Sequence, residues 1–178
     1  MGIDAIILLG SQLELADVYG FHDLLNTSSC PALDRLRARC RSYEEEAASG
    51  WQLDVGDDSV QSCGVRIAFE GKIACLSGAW RWALVYIWDG ELQNLVRDAS
   101  RELAALMGSD RCIHLADLMA PPMTTISGVE EALETSLGPP VASLRELADG
   151  EWNESIDTKY GFIGRWFVDR LSPSVWSS

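Results

Sequence analysis

At 178 residues the chain has the length of one domain, and no shift in composition divides it. With 47% hydrophobic residues and 7 Trp it carries the material for a full core without staples. Its 27 acidic against 14 basic side chains leave a net charge of -13, which repels phosphate, excludes a general nucleic-acid or anionic-membrane binder and attracts a basic partner, besides keeping the protein soluble.

In chain order, Asp4 to Leu9 is a short continuous apolar run, the pattern of a strand covered on both faces. The shortness of the run, Asp4 within it and the absence of a basic flank mark it as a first strand and not a signal peptide. From Ser11 to Leu25, Leu15, Tyr19, His22 and Leu25 recur at helical spacing, with His22 expected as a satisfied boundary residue. A second helix is predicted from Pro31 to Gly50, with Ser29 as its cap and Leu33, Leu36, Cys40, Tyr43 and Ala47 on one face. Arg35, Arg37, Arg39 and Arg41 near its start and Glu44, Glu45 and Glu46 near its end oppose the helix dipole. Another group must offset that cost, or the helix offers a bipolar contact face, or a solvated face tolerates it.

Residues 51–59 read as a short strand and a turn with Asp57 and Asp58 at the tip. Val65, Ile67 and Phe69 alternate with Arg66, Ala68 and Glu70 as in a half-buried strand, and the chain turns at Glu70 to Lys72 and returns through Ile73 and Cys75, giving a hairpin or meander. In "GAWRWALVYIWDGE", Gly78 to Glu91, a strand puts Trp80, Trp82, Leu84, Tyr86 and Trp88 on one face and Arg81, Ala83, Val85, Ile87 and Asp89 on the other. Leu84 and Tyr86 are expected in the core, while Trp80 and Trp88, near the strand ends, are candidates to anchor a partner or line a cleft.

Asp89 then caps the clearest helix, whose stripe of Leu92, Leu95, Val96, Ala99, Leu103 and Leu106 ends at Gly108. Arg111 to Leu118 reads as a strand with Cys112 and His114 facing one way. Ser127 and Glu130 match a capping box for a helix bearing Val129, Leu133 and Leu137, and a short helix with Leu144 and Leu147 inward ends at Gly150. In the tail, Phe162, Ile163, Trp166, Phe167 and Leu171 fit a helical face and Phe162, Trp166 and Val168 a strand; a helix on the sheet is favoured. Interleaved strands and helices predict an α/β or α+β layer fold, one domain over 1–178, with a mixed β-sheet of about four to six strands packed with about four to six helices.

The five cysteines, Cys30, Cys40, Cys63, Cys75 and Cys112, form no C-x-x-C pair, which argues against structural zinc and for reduced thiols in the cytoplasm. No apolar run approaches a membrane span. There is no dinucleotide or phosphate loop, nucleophile elbow or zinc-protease motif, so no catalytic residue, cofactor or metal is predicted. Cys112 and His114 are a thiol and an imidazole on one strand face, but neighbours two apart lie about 6–7 Å from each other, too far for a direct hydrogen bond, and a structural role is the expectation. A rival reading groups Cys112, His114 and Asp117 at the mouth of a ligand cleft with Trp152 and Trp166. A third makes the aromatic edge the self-interface of a homo-oligomer.

A small, acidic, aromatic-rich chain with no catalytic motif, bearing "GAWRWALVYIWDGE" and "YGFIGRWFVDRL", resembles the immunity proteins of bacterial polymorphic toxin systems and, more broadly, acidic protein inhibitors. The likeness is one of class, carried by size, charge and these stretches. It implies tight binding of a basic protein partner such as a nuclease toxin, with Asp57, Asp58, Glu44, Glu45, Glu46 and Glu151 steering it and Trp80 or Trp88 as the anchor.

Overall fold

The computed structural model describes residues 4–11, 18–41, 50–81, 84–116, 125–148 and 164–171. At its centre lies β1 (Ala5–Gly10), in which every residue from Ala5 to Leu9 is buried, as its unbroken apolar run requires. It is flanked by β5 (Ile73–Gly78) and β6 (Arg111–Ala116), with Ile7 opposite Leu76 on one side and His114 on the other. Beyond β5 come β4 (Val65–Glu70), β3 (Ser59–Ser62) and β2 (Gln52–Asp54), and beyond β6 comes β7 (Phe167–Arg170), giving the order β2-β3-β4-β5-β1-β6-β7.

The expected sheet-and-helix layers and the meander through β2 to β5 are present. The sheet has seven strands, because residues 51–59 and the turn within them supply the start of a hairpin and the tail supplies another strand. Every strand pairing in it is antiparallel, so it is not mixed; among the described residues the parallel component is an isolated bridge between Val141 and Phe167. The tail is a strand and not a helix over Phe167–Arg170, since Phe167 and Asp169 face one side of the sheet and Val168 the other, a period of two that pairs with β6.

The two faces of β1 divide the helices. Ala5, Ile7 and Leu9 pack under α1 (Val18–Thr27), α2 (Pro31–Cys40), α3 (Gly90–Met107) and the short α5 (Leu144–Ala148). Ile6 and Leu8 pack with Trp166 under α4 (Ile126–Leu137). In α1 the buried stripe is Val18, Phe21 and Leu25, so Tyr19 points outward, against expectation, while His22 sits at the boundary with Nε2 2.8 Å from the carbonyl oxygen of Trp51. Leu15 lies outside the described residues.

The dipole problem posed by α2 dissolves in the structure. The helix ends at Cys40, so Asp34 falls in the first turn and Arg37 and Arg39 in the last, the order the dipole favours. Tyr43, Glu44, Glu45, Glu46 and Ala47 lie outside the described residues. Cys30, not Ser29, holds the N-cap position and makes no side-chain cap bond. The capping group comes from another helix: Glu102 of α3 accepts the N–H groups of Ala32 and Leu33, both at 2.9 Å. The capping box of α4 is likewise displaced. Thr125 caps by accepting from the Gly128 N–H at 3.1 Å, and Glu130 turns to Arg111 and Arg170.

Removing the Glu102 carboxylate strands two N–H donors at a helix N-terminus. Glu102→Ala should lower the unfolding free energy by about 1–2 kcal/mol, read by urea titration, with Glu102→Gln recovering part of it.

Candidate functional site

The aromatic stretch leaves the sheet instead of continuing it. Trp80 folds back over Gly78, where any Cβ would meet its ring at 2.2 Å, and its Nε1 donates to the carbonyl oxygen of Ala5 at 3.0 Å. At 1% exposure Trp80 is core, which removes it as a partner anchor. Arg81 then bridges to Asp4 through backbone and, at 2.8 Å, through side chain.

Over Leu84–Trp88 the chain winds one wide π-turn, closed by the Asp89 N–H donating to the Leu84 carbonyl at 2.9 Å. Five successive apolar residues in a single turn cannot all point inward. Val85 and Tyr86 are buried, and Leu84, Ile87 and Trp88, at the i, i+3 and i+4 positions, share the outer side. Leu84–Trp88 thus form a turn and not the expected strand, and Leu84, expected in the core, is exposed. Trp88 is 69% exposed, whereas Trp51, Trp80 and Trp166 are buried. Trp82 lies outside the described residues.

Asp89 fixes this turn to two helices. One carboxylate oxygen accepts the Leu92 N–H at 2.9 Å and so caps α3, and the other accepts from Arg39 of α2 at 3.1 Å. These bonds hold the Asp89 carboxyl below its ordinary range, the Leu92 N–H contributing most.

Beneath the turn lies a buried polar cluster. The Tyr86 hydroxyl and His114 Nδ1 are hydrogen-bonded at 3.1 Å, and the imidazole stands against Phe167 with ring centroids 5.8 Å apart. His114 Nε2 is buried with no hydrogen-bond partner among the described residues. Burial pushes the His114 imidazole down to about 3, with Asp169 opposing and Arg97 and Arg101 adding, so it is neutral near pH 7. Cys112 shares that face as predicted, but its thiol donates to the Ser100 carbonyl at 3.5 Å, and burial pushes it up to about 12. A protonated thiol beside a neutral imidazole, both sealed from solvent, does not make a nucleophile and its base.

The charge in this region is Asp169, whose side chain is 5% exposed and is gripped by two guanidiniums one turn apart on α3. Arg97 donates at 2.8 and 3.2 Å, and Arg101 at 2.8 and 2.9 Å. Burial alone would raise the carboxyl, but the two pairs outweigh it and leave Asp169 at about 2. This clamp and the Tyr86–His114 bond were not foreseen. The available signal was an arginine pair at i, i+4 on a helix and a lone Asp among the apolar residues of "WFVD".

The other expected site residues scatter. Trp166 lies on the opposite face of the sheet from His114, with Nε1 donating to the Gly138 carbonyl at 2.9 Å, so no cleft joins it to Cys112 and His114. Asp117, Glu151 and Trp152 lie outside the described residues. Asp57, paired with Arg66, and Asp58, at φ 40, occupy the β2–β3 turn. That turn is at the end of the sheet where β1 finishes, whereas the π-turn is at the end where β1 begins, some 20 Å away by the length of a six-residue strand. Also at the far end, a polar cavity of about 400 Å³ is lined by Lys72, Ser109, Asp110, Arg111, Thr125 and Ser127 among others. No group of His, Cys, Asp and Glu that could hold a metal exists among the described residues, and no described helix is long and apolar enough to cross a membrane.

Comparison with protein-family models, curated proteins and solved structures finds no match to this chain.

The neutral burial of His114 makes stability depend on pH. Its folded pKa lies below the ordinary 6.5, so the unfolded chain binds the extra proton, and stability present above pH 6.5 is lost as pH falls from there towards 3. The slope should approach one proton, about 1.4 kcal/mol per pH unit, in denaturant melts between pH 6 and 4, and His114→Gln should flatten it. Asp169 adds a second loss from pH 3.8 towards 2.

Proposed function

We propose that the protein is an acidic, protein-binding inhibitor of the immunity type, acting in the cytoplasm on a basic partner such as a nuclease toxin, with the π-turn as its contact. The observation that carries this reading is Trp88, 69% exposed beside exposed Leu84 and Ile87 on a turn pinned at both ends by ion pairs. An exposed Trp beside two exposed aliphatic residues is the composition of an interface anchor, since Trp buries much area at the cost of few rotamers. The neighbouring charges at Asp4 and Asp89 are balanced by Arg81 and Arg39, so attraction for a basic partner comes from the field of the whole protein at net charge -13, to which Asp57 and Asp58 contribute from the far end. The buried state of Cys112 and His114 weighs against the rival reading of a ligand cleft or small enzyme.

The test is capture of partners from the source cell's lysate by the wild-type chain and by Trp88→Ala. A stoichiometric basic protein held by the wild type, with Kd raised roughly 30-fold or more by Trp88→Ala through faster dissociation, supports the reading. Trp88 is exposed and belongs to neither buried cluster, and the denaturation midpoint of Trp88→Ala, measured beside its Kd, separates a loss of binding from a loss of fold. No basic partner, or a concentration-dependent dimer in light scattering that Trp88→Ala dissolves, overturns it. With a partner in hand, reversing Asp57 and Asp58 to Lys should slow association and weaken its salt dependence while leaving dissociation unchanged.

A further inference from the structure

Cys63 occupies a position that disfavours it. Ser62 and Val65 are paired across β3 and β4, so Cys63 and Gly64 form the two-residue turn between them, at φ 51 and φ 76. Two successive positive φ values are the geometry that hairpins fill with Asn, Asp or Gly, and a cysteine there bears strain. The neighbours of Cys63 on both sides already rest on α2. Ser62 Oγ accepts from Arg37 Nε at 3.0 Å and Nη2 at 2.7 Å, and lies 3.8 Å from Cys63 Sγ. A Cβ placed on Gly64 would stand 3.9 Å from the Cβ of Cys40 and 3.3 Å from its carbonyl oxygen. Cys40 is the last residue of α2, one turn beyond Arg37 and on the same side of the helix.

From this juxtaposition we propose that Cys40 and Cys63 are a disulfide-forming pair, a modification site that staples the end of α2 to the β3–β4 turn when the protein meets a small-molecule disulfide such as oxidised glutathione. A disulfide needs its two Cβ atoms about 3.5–4.5 Å apart. A Cβ built on Gly64, the residue next to Cys63, falls within that range of Cys40 Cβ, and closure moves the turn at Gly64, where the backbone bends most freely. Both cysteines are half-buried, whereas Cys30 and Cys112 are buried and Cys75 lies within a strand opposite Ala68 and Leu8. Burial pushes the Cys40 thiol up to about 11, with Arg39 pulling it back and Cys63 raising it further.

The order of events follows. Cys63, on its turn, uses its thiolate to displace one sulfur of the small disulfide; the S–S bond breaks, and one thiolate leaves and takes a proton from water. Cys40 then loses its proton to solvent and attacks the Cys63 sulfur, expelling the second small thiolate. The two cysteines are oxidised by two electrons and the small disulfide is reduced to two thiols. The inference stands independently of any partner at Trp88.

The full-length chain is equilibrated across ratios of oxidised to reduced glutathione, free thiols are blocked with N-ethylmaleimide, and intact mass and peptide maps are read. The expected product has three blocked cysteines, a Cys40–Cys63 cross-link and a melting temperature raised by roughly 5–10 °C over the reduced form. Cys63→Asn, which suits the turn, should fold, keep all four remaining thiols blockable and show no oxidation-dependent rise, while Cys40→Ser should stop at the mixed disulfide on Cys63. Five blocked cysteines at every ratio, a cross-link between other cysteines or between chains, or a wild-type product that stops at the mixed disulfide would each overturn the proposal.

Discussion

A strand that is apolar on both sides leaves a protein little choice. Ala5 to Leu9 present no polar face to water, so the sheet cannot lie with one side in solvent as many antiparallel sheets do, and helices must cover both. Ala5, Ile7 and Leu9 call for the larger layer of α1, α2, α3 and α5, and Ile6 and Leu8 call for α4. The alternation imposed on β1 passes to β5 and β6 by cross-strand pairing. Leu76 and Cys112 face the first layer, and Ile73, Ile113 and Leu115 the second. The described polar residues are sorted by that partition: the Tyr86–His114 cluster lies under α3, and Trp166 lies beneath α4 on the opposite face.

Two carboxylates lie largely away from water, and arginines hold both of them. Asp169 takes two, on successive turns of α3, and Glu130 takes two more from Arg111 and Arg170. Such pairs add little net stability against an apolar alternative of the same shape, but once made they fix register, because loss of one partner leaves a charge without solvent. Here the clamp fixes the edge strand β7 against α3, and Glu102 fixes α2 against the same helix. The helix α3 is thereby the frame to which the edge strand, the second helix and the π-turn are all attached.

How much of this was legible in the sequence depended on whether local pattern and tertiary demand agreed. They agree in β1, in the meander from β2 to β5 and in α3, whose Asp89 cap and Gly108 stop lie where the residues announce them. They disagree where a stretch is apolar at every position. Residues 84–88 satisfy a strand and a helix equally, and the deciding facts, Trp80 folding over Gly78 and the Asp89 bond to Arg39, involve partners far away in the chain. The cap of α2 failed for the same reason, since Glu102 is supplied from 70 residues away. In the tail, "WFVDR" carries a period of two that only the pairing with β6 makes decisive. Of the candidate surface residues Trp88 is accessible, and Trp80, identical in chemistry and eight positions earlier, is interior.

The π-turn is held as an arch with fixed footings. Asp4 and Arg81 close one foot and Arg39 and Asp89 the other, and Val85 and Tyr86 plug its underside into the core. An insertion or deletion within Leu84–Trp88 would rotate the buried pair out of its socket, so the span can tolerate change in side chain but not in number. The outward positions, Leu84, Ile87 and Trp88, are exposed and are not part of that plug. A surface of this kind can change its letters while its length stays constant and its buried pair keeps its socket, which separates the evolution of what the arch displays from the evolution of the fold that carries it.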